Sequence, residues 1–224
     1  MIKINYEKRW DNVKSSLGER DAFVAALPGN TRYLANSESP PGTPPSSTMN
    51  YVVIPKKSEP FAITSSLEEH RCRHESSVKD IRCWTTYPDI KSDGKSALEI
   101  LKSSLNEIKA KQIFTDTKVS LGRSFKVSVS SNVNELRSIK SKAELQRIKK
   151  AIKQSDAGQM FAHNLVESGE GLSEKEVRSE IDYFMARKGI QENSFSTIVA
   201  SGPNSAHSHH SNTDRKLKVG DPVI

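Results

Sequence analysis

Between residues 51 and 115 the chain reads strand, tight turn, strand, amphipathic helix, strand, and this order limits it to an α/β architecture. Tyr51-Val-Val-Ile54 and Phe61-Ala-Ile-Thr64 are β-branched and aromatic runs on either side of a Pro-Lys-Lys-Ser-Glu-Pro turn, the pattern of two strands of one sheet. Over 95–110, Leu98, Leu101, Leu105 and Ile108 recur at intervals of three, four and three residues, the spacing of one helical face. Gln112-Ile-Phe-Thr115 then predicts a further strand, completing an α/β unit.

The 224 residues suit one large domain or two small ones. A hydrophobic fraction of 34% makes for a lean core. No apolar run approaches the roughly 18 residues that a spanning helix needs, and the first ten residues, Met-Ile-Lys-Ile-Asn-Tyr-Glu-Lys-Arg-Trp, lack the apolar stretch of a signal peptide. Cys72 and Cys83 form neither a disulfide framework nor a CxxC pair, which suits a reducing cytoplasm. The net charge of +7 raises nucleic-acid binding as a class, but the basic residues are spread along the chain without an aromatic-interleaved motif, so no nucleic-acid partner is expected. Residues 37–48 hold four of the ten prolines. They read as a surface loop, or as a loop covering a neighbouring site.

A second region begins near residue 134. Ser141-Lys-Ala-Glu144 and Ser173-Glu-Lys-Glu176 are capping boxes that open helices. The first helix carries Leu145, Ile148, Ile152, Ala162, Leu165 and Val166 as its apolar stripe and ends before Gly169 or Gly171. The second places Val177, Ile181, Phe184 and Met185 on one face and stops at Gly189, in keeping with a glycine C-cap. Alternation at Phe195, Thr197 and Val199 predicts a strand, and Lys216–Val219 and Pro222–Ile224 start another. The sequence stops inside that apolar run, which leads us to expect a fragment of a longer protein. The expected division is 1–133 and 134–224.

Several catalytic signatures are absent: H-E-x-x-H, G-x-S-x-G and G-x-G-x-x-G do not occur, and Gly94-Lys95-Ser96 has Asp89 where a P-loop needs glycine. Cys72 sits between His70 and His74, which reads as a surface cluster on a helix. The segment with most chemistry is Ser194–Asp221, where His207, His209 and His210 fall within four residues. H-x-H-H can be a solvated polar turn or a metal cluster, although zinc sites need three or four ligands and no acid or cysteine is fixed beside it by spacing. A third reading is a histidine that donates to a substrate carbonyl or a developing oxyanion.

Phe195-Ser-Thr-Ile-Val-Ala-Ser-Gly-Pro-Asn204, His209 five positions on and Gly220-Asp221 beyond it resemble the metallopeptidase family of methionine aminopeptidase, Xaa-Pro aminopeptidase and prolidase. Arg137-Ser-Ile-Lys-Ser-Lys-Ala-Glu144 is similar to the opening of the first catalytic-domain helix in the proline-specific branch. Gly171-Leu-Ser-Glu-Lys-Glu176 is similar to a later helix start, and Asn30-Thr-Arg-Tyr-Leu34 resembles a strand of the creatinase-type N-terminal domain.

The resemblance implies an α/β creatinase-like N-terminal domain followed by the first part of an α+β pita-bread domain. It implies an exopeptidase that hydrolyses the bond before proline, using two divalent metal ions (Mn, Co or Zn) in the full-length parent. His209 takes the place of the family histidine that touches substrate, with Ser208 where proline usually stands, and His207 and His210 are left as loop residues. None of the family's five metal ligands falls within these 224 residues, so no metal residue is assigned here and the chain alone is expected to be inactive. A homodimer and a cytoplasmic setting are implied as well. A creatinase-like amidinohydrolase working without metal and a non-catalytic peptide-binding protein of the same fold are the alternatives.

Overall fold

The computed structural model describes residues 2–36, 50–168 and 171–224. The proline-rich 37–48 segment and Gly169 lie outside these. The chain forms two compact units, one of residues 3–141 and one of Ile2 with 142–224. The division falls after Ser141 rather than at residue 133 because helix α5 (Asn132–Ser138) buries Val133 in the core of the first unit.

The first unit is built on a six-stranded sheet of β1 (Asp21–Ala25), β2 (Tyr51–Pro55), β3 (Phe61–Ser65), β4 (Asp80–Trp84), β5 (Gln112–Thr115) and β6 (Lys126–Val129), in the order β4-β3-β2-β1-β5-β6. β2 is antiparallel to both β1 and β3, and the other neighbours are parallel. Alternation divides the side chains between two faces. Phe23 and Ala25 turn to one core with Val52, Ile54 and Ala62, where α1 (Tyr6–Ser15), α2 (Pro28–Ala35), α3 (Glu69–Glu75) and α5 supply Val13, Leu34, Cys72 and Val133. Ala22 and Val24 turn to the other with Val53, Phe61 and Ile63, covered by Ile100, Leu101 and Leu105 of α4 (Ala97–Glu107). Both strands predicted at 51–64 and the 112–115 strand are present, as is the helix, capped by Ser96 Oγ accepting from Glu99 N at 3.2 Å.

Two expectations change in this unit. Asn30–Leu34 lies within helix α2, not a strand. Pro28 stands in its first turn and Asn36 ends it at φ +60°, the N- and C-terminal signals of a helix. Cys72 is not a surface residue: it is fully buried, its thiol 3.8 Å from Thr64 Oγ1, while His70 and His74 are exposed. Cys83 is likewise buried and free, and burial, with Glu69 nearby, pushes its thiol up to about 12.

The second unit pairs α6 (Lys142–Ser168) with α7 (Glu174–Arg187). The helices run antiparallel, with Gln154 Nε2 donating to Lys188 O at 2.8 Å and Phe161 stacked on Phe184 at 4.3 Å. Gly158 admits Met185, whose sulfur fills the space a Cβ would take. α6 has 27 residues and α7 has 14, so α7 covers only the later part of α6. Leu145, Ile148 and Ile152, read from sequence as buried stripe, stay 45, 43 and 52% exposed. The capping box at Ser173 is complete: Ser173 N donates to Glu176 Oε2 at 2.7 Å and Glu176 N to Ser173 Oγ at 3.2 Å. Gly189 follows the helix at φ +80°.

Candidate functional site

The segment that carries the three histidines folds against the N-terminus of α7. Backbone bonds tie its ends down: Glu174 N donates to Arg215 O at 3.0 Å, Lys175 N to Thr213 O at 3.2 Å, Leu217 N to Leu172 O at 2.9 Å, and Ala200 and Ile224 exchange bonds at 2.8 and 2.9 Å. Val177, Val199 and Leu217 form the small apolar core beneath it. Gly202–Ala206 is a 3-10 turn with Pro203 in its first turn. The expected strand at 195–199 is absent. Asn212 replaces a neighbouring strand there, its Oδ1 accepting from Val199 N and its Nδ2 donating to Thr197 O, both at 3.0 Å. The 216–224 segment makes isolated bridges, Ser173 with Lys216 and Ser201 with Val223, rather than a strand.

At the centre lies Glu174, fully buried. Its Oε1 accepts from Ser201 N at 2.8 Å, Ser201 Oγ at 2.9 Å and Asn204 Nδ2 at 3.0 Å. Its Oε2 accepts from Thr213 Oγ1 at 2.7 Å, Thr213 N at 2.9 Å and His210 Nε2 at 2.8 Å. Burial by itself pushes this carboxyl up, but the bonds from Thr213, Asn204, His210 and Ser201 outweigh it and hold the group well below the usual carboxylate range. An ionised carboxylate only accepts, so His210 carries its proton on Nε2. A buried charge is tolerable only when so thoroughly bonded.

A charged pair abuts Glu174. Arg215 holds Asp221, and its Nη1 also donates to Ser201 Oγ at 2.7 Å. The arginine beside Asp221, and then the N–H of Lys218, hold that carboxyl below its ordinary value. Ser201 therefore links the Arg215–Asp221 pair to Glu174.

His209, the sequence-predicted site residue, is exposed in the turn after the 3-10 segment and makes no side-chain hydrogen bond to a described residue. His207 is exposed as well, its ring centroid 6.5 Å from that of His210. His210 is not the free loop residue expected from sequence: its side chain is only 10% exposed and is pinned to Glu174. The three histidines thus split, with His209 and His207 open to solvent and His210 built into the scaffold. Sequence reasoning missed Glu174 because Ser173-Glu-Lys-Glu176 reads as a capping box, which uses Glu176. The one available signal was a second glutamate in the first helical turn beside a polar loop.

The polar groups here do not fit a metal centre. Both Glu174 oxygens, the Asp221 carboxylate and His210 Nε2 are already engaged, and among the described residues no group of three or more His, Cys, Asp or Glu is arranged to hold an ion. The site offers instead an exposed imidazole on a loop tied down from below, able to donate a hydrogen bond to a bound carbonyl.

Residues 146–224 match the metallopeptidase family M24. The chain is 37% identical to an Xaa-Pro dipeptidase of Pyrococcus furiosus over 92 residues, which is 41% of this chain and 26% of that protein. Its fold matches X-Pro aminopeptidase of Thermotoga maritima at a TM-score of 0.75 and 22% identity, covering 98% of this chain and 59% of that one. It matches the prolidase of Pyrococcus horikoshii at 0.73 and 22% identity, covering 96% and 59%. The expected creatinase-like and pita-bread fold is the one observed. The chain spans about a quarter of the curated relative's length (26%) and about six tenths of these solved structures (59%).

Proposed function

We propose, from the match of residues 146–224 to metallopeptidase family M24, that the whole protein is a metal-dependent exopeptidase that cleaves the bond before proline, as an Xaa-Pro dipeptidase or aminopeptidase. The observation that carries this reading is the braced 201–213 loop, which leaves His209 as an exposed imidazole where the resemblance places the substrate-contacting histidine. A divalent metal, when bound, supplies the activated water for amide hydrolysis. Among the described residues no group of three or more His, Cys, Asp or Glu is arranged to hold it. What this chain contributes is His209: its ring N–H holds the scissile carbonyl and stabilises the oxygen as negative charge grows on it.

The test is hydrolysis of Xaa-Pro dipeptides and Xaa-Pro-Xaa tripeptides by the whole protein with Mn, Co or Zn, against Xaa-Ala controls. His209→Ala should lower kcat by about 10²–10³, with His207→Ala within a few-fold. A folded protein that leaves every proline peptide intact with all three metals refutes the reading. Equal losses from His207→Ala and His209→Ala would move the assignment off His209. The same reading carries a homodimer formed through the N-terminal unit, which sedimentation equilibrium at micromolar concentration tests. It also carries a cytoplasmic setting, which suits two buried cysteines that form no disulfide.

A further inference from the structure

The geometry points to Glu174 as the positioning residue of this site: its buried carboxylate, which no neutral side chain can replace, holds the loop that presents His209. This deepens the peptidase reading and rests on it for the activity measurement below. Oε1 takes the backbone N–H of Ser201 and Oε2 takes that of Thr213. Neither donor can be turned round, because a backbone N–H only donates.

A glutamine at 174 offers one oxygen and one NH2. Whichever way its amide is flipped, the NH2 faces a backbone N–H, and that donor is left buried without an acceptor. Asn204 Nδ2 and His210 Nε2 add a further donor to each side. The site thus selects a two-oxygen anion by shape and by hydrogen-bond polarity together.

The positions of the contacts make this a device for placing His209. Ser201 and Thr213 bracket the loop, Asn204 and His210 are tethers within it, and all four meet at one carboxylate. His209 is the immediate neighbour of His210. With His210 fixed at 2.8 Å from Oε2, the direction in which His209 leaves the backbone follows from Glu174. The side chain of His209 itself stays free for a ligand.

The experiment has two readouts. In the 224-residue chain, amide hydrogen exchange at Ser201 and Thr213 should be slow, should quicken about tenfold or more in Glu174→Gln, and should be partly recovered in Glu174→Asp, which keeps two oxygens on a shorter stem. In the whole protein, assayed on an Xaa-Pro dipeptide well below its melting temperature, Glu174→Gln should lower kcat about 10–100-fold with KM within about threefold. A role in stability alone would leave kcat per folded molecule unchanged and overturns the proposal, as does a Glu174→Gln chain whose two amides exchange within twofold of the parent. If the unaltered protein cleaves no proline peptide, the peptidase reading fails while the exchange measurement still judges Glu174. Should Glu174→Gln not fold, Glu174→Asp is read against the parent in its place, since its shorter stem draws both oxygens back from the two backbone donors. Faster exchange at Ser201 and Thr213 supports the proposal, and unchanged exchange at both overturns it.

Discussion

The Arg215 guanidinium meets the Asp221 carboxylate through two parallel contacts, Nη1 to Oδ2 at 2.7 Å and Nη2 to Oδ1 at 3.1 Å, directly beneath Gly202. Gly202 has φ +52°, and a Cβ there would run into Arg215 Nη2 and come within 2.7 Å of Asp221 Oδ1. The fork is planar and rigid, so neither partner yields easily, and the turn that leads to the histidines needs a residue without a side chain.

Gly202→Ala should therefore destabilise the second unit by about 1–3 kcal/mol, from left-handed backbone strain and the steric clash together. Chemical denaturation followed by amide resonances of residues 171–224 measures it. A loss within about 0.5 kcal/mol, the range of an unconstrained surface site, would show that the pair moves aside.

Acid should unfold this region late. The Glu174 carboxyl is held well below the usual range in the folded chain, so it binds its proton less readily folded than unfolded. Its contribution is complete above the unfolded value, 4.5, and is lost as pH falls through the lower folded value. Asp221 and Glu176 are shifted in the same direction, by Arg215 and by the Ser173 N–H respectively. The amide resonances of Ser201 and Thr213 should keep native positions from pH 7 to about 5 and lose them only in stronger acid. Loss already near pH 5 contradicts the assignment.

The three histidines should separate in stability measurements. His207→Ala and His209→Ala should change unfolding free energy by no more than about 0.5 kcal/mol, as exposed residues do. His210→Ala removes a donor to a buried carboxylate and should cost about 1–3 kcal/mol. Equal effects at all three positions would mean that the Glu174–His210 contact is not formed in solution.

Asp116 in the first unit repeats the logic of Glu174. Its Oδ1 accepts from Ala26 N at 2.9 Å, and its Oδ2 from Leu27 N at 3.1 Å and Asn30 Nδ2 at 2.9 Å. Arg137 in turn donates to Asn30 Oδ1 at 2.7 Å. Asp116→Asn puts an NH2 against one of two backbone donors and should cost about 1–3 kcal/mol. Trp10 and Trp84, both in this unit with their indole N–H groups bonded at 2.8 and 2.7 Å, report it by fluorescence during urea unfolding. An unchanged midpoint would rule it out.

Much of the scaffold was readable from local pattern. The β2–β3 pair, the α4 stripe and the Ser173 capping box depend on residues close in sequence, and each formed as expected. The errors share a cause. Phe195–Val199 alternates like a strand, but among the described residues no neighbouring strand pairs with it, and Asn212, 15 residues from Thr197, takes up its backbone groups instead. Leu145, Ile148 and Ile152 form a sound helical stripe, yet how much of a stripe is covered depends on the length of the partner helix.

For the site, sequence alone determined where the histidine-bearing polar loop lies and that a capped helix starts at Ser173, while the family resemblance singled out His209. Periodicity and capping are local properties, so a single chain displays them before any tertiary contact is known. Only the tertiary structure decided that His210 is a scaffold residue and that Glu174 is the hub. Its donors arrive from 27 to 39 positions away, and hydrogen-bond satisfaction at a buried charge is set by what surrounds it in space, which no spacing along the chain encodes.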